Sequence, residues 1–133
     1  MLRIHYLLPL SALLLAILSA ANAGQNVQIE YFLNVSFTCH NGHTKPGYSV
    51  FISGSRPELG NWDPSKAVLL KNPGHPTWSG RVQFKNVKPG DTLEWKCIIR
   101  NEKDPLEKPQ WQPDPDNQVT FAFSPEPQAV GTF

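Results

Sequence analysis

Between Val27 and Cys39 every second residue is apolar: Val27, Ile29, Tyr31, Leu33, Val35, Phe37 and Cys39. The interleaved positions, Gln28, Glu30, Asn34, Ser36 and Thr38, are polar, with Phe32 the one interruption. A period of two is that of an extended chain with one face in a core and the other in water. The same period returns in Tyr48–Ser53, where Val50 and Ile52 point one way and Phe51 the other. It returns in Trp78, Gly80, Val82 and Phe84, and again in Val119, Phe121 and Phe123. In the strand between these last two, Leu93, Trp95, Cys97 and Ile99 oppose Glu94, Lys96, Ile98 and Arg100. Ala67–Leu70 adds a short apolar run, and residues 124–133 read as a loose tail.

Turn signals separate these runs: His40–Gly47, the Pro73-Gly74-His75-Pro76 stretch, and Lys88-Pro89-Gly90-Asp91. The chain holds thirteen prolines and nine glycines, and no segment carries the helical period. About seven short strands joined by turns predict an all-β fold, an antiparallel, immunoglobulin-like β-sandwich. Trp78 and Trp95, in phase with the apolar faces, are expected in its core.

The start of the chain reads differently. Arg3 and His5 precede an apolar run over residues 6–18, and Ala21-Asn22-Ala23 is a small-x-small cleavage pattern. This predicts a secretory signal peptide over residues 1–23 and a single domain over 24–133, exported to the periplasm or beyond. The run is short for a membrane span, so an uncleaved anchor is the lesser alternative. Without Arg3 the basic and acidic residues balance at eleven each. That balance gives no pull toward nucleic acid or an anionic membrane and suits a neutral, polar partner. Export also places Cys39 and Cys97, each on a core face, in an oxidising compartment. A disulfide between them is expected, with two buried free thiols as the alternative.

The other two tryptophans lie in polar, proline-rich loops. Trp62 follows Gly54, Pro57 and Gly60 and precedes Pro64; Trp111 stands between Pro109 and Pro113. Prolines fix φ and let a loop hold an aromatic ring at little entropic cost. An indole face stacks on the axial C–H face of a glucose ring and leaves the hydroxyls free for hydrogen bonds. The competing reading is that the two rings cap an edge of the core.

Residues 53–70 resemble the starch-binding domains of carbohydrate-binding module family 20, in the Gly54, Ser55, Leu59, Gly60, Trp62 run. The Leu93–Arg100 strand resembles that family's Glu-Tyr-Lys-Phe block, and Gln110–Asn117 its Trp-Glu-x-x-x-Asn loop. Three blocks in the same order and spacing extend the resemblance over roughly Val35 to Phe121. The resemblance implies a glucan site built from Trp62, Lys96 and Trp111; Lys96, which the alternation points away from Trp95 and Cys97, is expected to reach solvent. Gln112 stands where the family has glutamate, and the family's asparagine falls on Asp116 or its neighbour Asn117. A second family site uses tyrosines. One of them matches Phe51, expected on an outward face where its ring can stack on a sugar but lacks the hydroxyl, and the other falls near Gly74 or His75, so this site is expected to be weakened, altered or absent.

Other chemistries are poorly supported. Cys39, His40 and His43 lack a complementary cluster that would complete a zinc site, so no metal or cofactor is expected. Glu58 and Asp63 do not by themselves make a glycosidase pair, and no Gly-x-Ser-x-Gly run occurs. The function expected is non-catalytic binding of α-1,4-glucans: starch, glycogen, maltooligosaccharides or cyclodextrin. Service to a separate amylolytic enzyme would fit such a module. The rival expectation is a secreted protein-interaction module that uses the same exposed aromatics.

Overall fold

The computed structural model describes residues 29–133. The expected signal peptide and Val27 lie outside them. Strand β1, Phe32–His40, alternates buried and outer positions as its sequence does, with Leu33, Val35, Phe37 and Cys39 inside. It pairs antiparallel with β5, Thr77–Lys85, which pairs in turn with β4, Lys71–Gly74. The second sheet is built on β6, Thr92–Asn101. One edge of β6 pairs with β2, Tyr48–Gly54, which carries β3, Val68–Leu69. Its other edge is shared by β7, Gln110–Trp111, and β8, Asn117–Thr120.

Apolar side chains from both sheets meet between them. Trp95 is fully buried and meets Phe37 edge-on at 4.9 Å, and Phe84 meets Phe121 at 5.0 Å. Offset and edge-on ring pairs of this kind add to the simple burial of area. Trp78 is buried as expected, its indole N–H donating to the Gly42 carbonyl at 2.9 Å. The Cys39–Cys97 disulfide joins β1 to β6, with Cα atoms 6.1 Å apart, and so ties one sheet to the other. Closing a loop of this length contributes ~4 kcal/mol in the chain-entropy account.

The antiparallel-rich β-sandwich is as expected, with nine strands among the described residues, of which β3, β4 and β7 are too short to show a period. Three expectations need correction. The tail is not loose: Gln128–Thr132 forms β9, which runs parallel to β1 from Ser36 to His40. Its signal was hidden because its inward residues are Ala129 and Gly131, whereas Val130 faces out. Pairing in the preceding run stops at Thr120, and Phe123 is exposed, its ring 5.4 Å from Tyr31.

The third correction concerns the outer face of the second sheet. Phe51, expected to face water, is buried. The loop that follows β2 folds back over this face as two 3₁₀ turns, Pro57–Trp62 and Pro64–Lys66. Beneath it lie Phe51, Ile98 and Arg100, so that the sheet is covered on both sides here.

Candidate glucan-binding site

The loop that carries Trp62 has an uncommon backbone. Gly60, Asn61 and Trp62 have φ values of 78°, 51° and 67° in succession. Glycine accepts this region freely, and asparagine tolerates it. Tryptophan does so at a cost of ~1–2 kcal/mol. Gly60 is also fixed sterically, since a Cβ there would lie 2.7 Å from the Lys66 carbonyl oxygen. On the far side of Trp62, Asp63 closes the second turn by accepting from the Ser65 N–H at 3.0 Å and its hydroxyl at 2.7 Å. These bonds hold the Asp63 carboxyl below the usual carboxylate range. The result is a tight loop that lifts an indole from the sheet.

Trp111 arrives from the other side. It lies in β7, directly opposite Ile98 of β6. The two indoles stand with ring centroids 6.3 Å apart and planes inclined at 49°. Both are half-buried, so each keeps part of its ring surface open. The rings expected from the sequence to act together are therefore neighbours, and their tilt makes a bent rather than a flat apolar platform.

The polar residues are distributed differently from expectation. Lys96 does not extend freely into solvent. Its stem is buried, and its ammonium pairs with the Asp114 carboxylate and lies 3.5 Å from Asp116. The Asp114 hydrogen bond is the main cause that raises the Lys96 ammonium above its ordinary range, and the same bond lowers the Asp114 carboxyl. Asp114 itself is almost wholly exposed, so the pair sits with its stem in protein and its charged head at the surface.

Gln112 is buried and fully engaged, which removes it from the exposed polar set. Its side-chain oxygen accepts from the Cys97 N–H at 3.0 Å and from the Asn117 amide at 2.8 Å. Its nitrogen donates to the Asn117 oxygen at 2.9 Å, and its own backbone N–H donates to the Cys97 carbonyl at 2.9 Å. The Cys97 donor fixes which end of the amide is oxygen. Asn117 thus gives both its side-chain atoms to Gln112, and of the two residues that could match the family's asparagine, Asp116 is the exposed one.

Phe51 lies under the loop and offers no open ring. Gly74 and His75 are exposed, and the His75 ring packs at 5.3 Å against His43. Glu58 accepts from the Lys85 N–H at 3.2 Å, so it serves a turn contact as Asp63 does. Among the described residues no group of three or more His, Cys, Asp or Glu side chains is placed to hold a metal.

Three contributors escaped the sequence reading: Asp114, Ile98 and Arg100. The alternation on β6 set Lys96, Ile98 and Arg100 on one face, which it gave to solvent. A loop that returns from 30 or more residues away in sequence, as the 3.1 Å bond from Arg100 to the Pro64 carbonyl shows, leaves no mark on a local period.

Comparison with known proteins identifies the family. The profile of the starch binding domain family matches residues 32–129. Over 91 residues the chain is 44% identical to a glucan 1,4-alpha-maltotetraohydrolase of Roseateles saccharophilus, covering 68% of this chain and 16% of that enzyme. It is 42% identical over 86 residues to a cyclomaltodextrin glucanotransferase of Klebsiella oxytoca, covering 64% of this chain and 12% of that one. The chain thus spans less than a fifth of the length of these relatives. Among solved structures, the family 20 carbohydrate-binding module of a maltotetraose-forming amylase from Pseudomonas saccharophila superimposes with a TM-score of 0.67 and 41% identity, over 76% of this chain and all of that module. With its nine-stranded sandwich and a match that runs from β1 into β9, the chain belongs to the family 20 starch-binding domains.

Proposed function

We propose that this protein is a non-catalytic, exported module that binds starch-type α-1,4-glucans by laying successive sugar rings on Trp62 and Trp111. The observation that carries this reading is the pair of half-open indoles held at 6.3 Å and 49° on a rigid loop and a strand. Rings preset at an angle suit a chain that curves, and they exclude water from the sugar's apolar face without ordering a mobile loop. The Lys96 ammonium and the Asp114 and Asp116 carboxylates lie on β6 and in the loop after Trp111, and they supply donors and acceptors for sugar hydroxyls. Gln112 and Asn117 act behind them by holding the Trp111 loop to β6.

Family membership supports the ligand class, and the activities for which the related enzymes are named point the same way. Export is supported by the sequence pattern of residues 1–23 and by the inter-sheet disulfide. A module of this kind would hold a separate amylolytic enzyme, or a cell surface, close to glucan.

The test is co-sedimentation of the protein with insoluble starch, with microcrystalline cellulose as control and soluble cyclodextrin as competitor. Retention on starch alone, released by cyclodextrin, is expected. Failure to sediment with starch would reject the proposal, and retention that cyclodextrin does not release would favour a protein-contact role for the same rings.

A further inference from the structure

Arg100 is an unusual residue for its place. It is only 8% exposed, yet among the described residues no carboxylate pairs with it. Buried charges are ordinarily paired, because taking a guanidinium from water is costly. Here the compensation comes from a ring and from backbone. The guanidinium carbon lies 3.8 Å from the centroid of the Phe51 ring. The head group donates to the Pro64 carbonyl at 3.1 Å and approaches the Ser65 carbonyl at 3.5 Å. Its Nε donates to the Asn101 carbonyl at 3.2 Å.

These partners lie on the frame of the tryptophan pair. Pro64 and Ser65 belong to the turn that follows Trp62, and Asp63 locks that turn through Ser65. Phe51 is the register partner of Ile98, and Ile98 is the register partner of Trp111. Arg100 is two residues beyond Ile98 on the same strand. One side chain therefore ties the loop that presents Trp62 to β6, the strand on which β7 and its Trp111 are paired. A planar, charged group with donors along its edge can do both at once: its face lies on the ring and its edge meets the carbonyls.

We propose that Arg100 is the positioning residue of this site, the group that sets the tilt of Trp62 against Trp111 and so matches the platform to a curved glucan. This rests on the reading of the two indoles as the sugar platform. Arg100 does not reach the sugar; it acts through the loop and through Phe51.

The test uses Arg100→Met, which keeps a stem over Phe51 and removes the donors, and Arg100→Lys, which keeps the charge and loses the planar face. Each is compared with wild type by circular dichroism, thermal unfolding and titration with β-cyclodextrin well below the unfolding range. Two indoles this close couple excitonically, and the difference from Trp62→Phe isolates the contribution of the pair. Arg100→Met is expected to lose that signal and to bind roughly tenfold or more weakly while still folded, as misplacement of a preset group predicts. Arg100→Lys is expected between the two in both readouts. If both variants keep the wild-type signal and affinity in the folded state, whatever their melting temperatures, the proposal is overturned. Should Arg100→Met fail to fold, Arg100→Lys decides by the same criteria. If wild type itself does not bind cyclodextrin, the glucan reading fails, and the coupled-indole signal still decides whether Arg100 sets the tilt.

Discussion

Gln112 and Asn117 exchange two hydrogen bonds, at 2.9 and 2.8 Å, on the buried side of the loop that carries Trp111. Together with the bond from the Cys97 N–H to Gln112, they fasten that loop to the strand holding the inter-sheet disulfide. Replacing Gln112 by methionine keeps the volume and leaves the Cys97 N–H and both Asn117 side-chain atoms without their partner. A buried polar group left unpaired costs about 1–3 kcal/mol. Chemical denaturation should show a loss on that scale, and cyclodextrin affinity should fall with it because Trp111 loses its anchor. Unchanged stability would mean that the amide pair does not hold the loop.

Gly131 of β9 backs onto the same pair. A Cβ at this position would lie 2.7 Å from the Asn117 Nδ2 and 2.8 Å from both the Gln112 Oε1 and the Cys97 Sγ. Gly131→Ala must therefore push the amides or the disulfide aside, and overpacking of this sort costs about 1–3 kcal/mol. The expected outcome is a lower melting temperature together with weaker glucan binding, although Gly131 is buried and its strand lies behind the platform. A variant as stable as wild type would show that the neighbours yield freely.

Trp62 sits at φ 67° and should reverse an ordinary ranking. Alanine is normally better tolerated than glycine, but alanine inherits the left-handed strain of about 1–2 kcal/mol and glycine does not. Trp62→Gly is expected to melt higher than Trp62→Ala and to lie within about 1 kcal/mol of wild type, because strain relief offsets a lost ring contact of similar size. Both variants should lose most binding to starch. If Trp62→Ala proved the more stable of the two, the left-handed backbone at this position would be in error.

The Lys96–Asp114 pair sets the pH range. The Asp114 carboxyl is held below its ordinary 3.8, mainly by the hydrogen bond from Lys96, so its contribution is present above that value and lost as pH falls through the lower, folded one. The Lys96 ammonium is held above its ordinary 10.5, mainly by the same bond, so its contribution is present below that value and lost as pH rises through the higher one. Affinity for cyclodextrin should be flat between about pH 5 and pH 9 and should decline only once pH falls below the ordinary carboxylate range, where the folded Asp114 carboxyl takes up its proton. Asp114→Asn should bind more weakly at neutral pH and show a smaller acid decline. An acid decline of wild-type size in Asp114→Asn would assign it to another group.

The strands and the paired tryptophans were legible in the sequence for different reasons. Residues Leu33, Val35, Phe37 and Cys39 repeat every second position along a full strand, and that signal survives any tertiary context. Trp62 and Trp111 were legible through their proline-rich loops and the family resemblance, with no part played by periodicity. What escaped was long-range cover. Phe51, Ile98 and Arg100 alternate as outward residues should, and only the return of the Pro57–Lys66 segment over the sheet buries them. Strand β9 escaped because close packing against Cys97 requires Gly131 where the period would ask for a large apolar residue. Lys96 was placed on the right face, but its two carboxylate partners come from a loop 18 and 20 positions further on, beyond any local rule.

The central claim is that Trp62 and Trp111 are the surface on which glucan rests, while Trp78 and Trp95 are core. The chain has four tryptophans, and each indole N–H gives its own resonance in a proton–nitrogen correlation spectrum. Titration of the labelled protein with β-cyclodextrin should shift two of them, assigned to Trp62 and Trp111 by single replacements, and leave those of the buried Trp78 and Trp95 in place. A titration in which the Trp62 and Trp111 signals stay fixed while the protein binds would contradict the account.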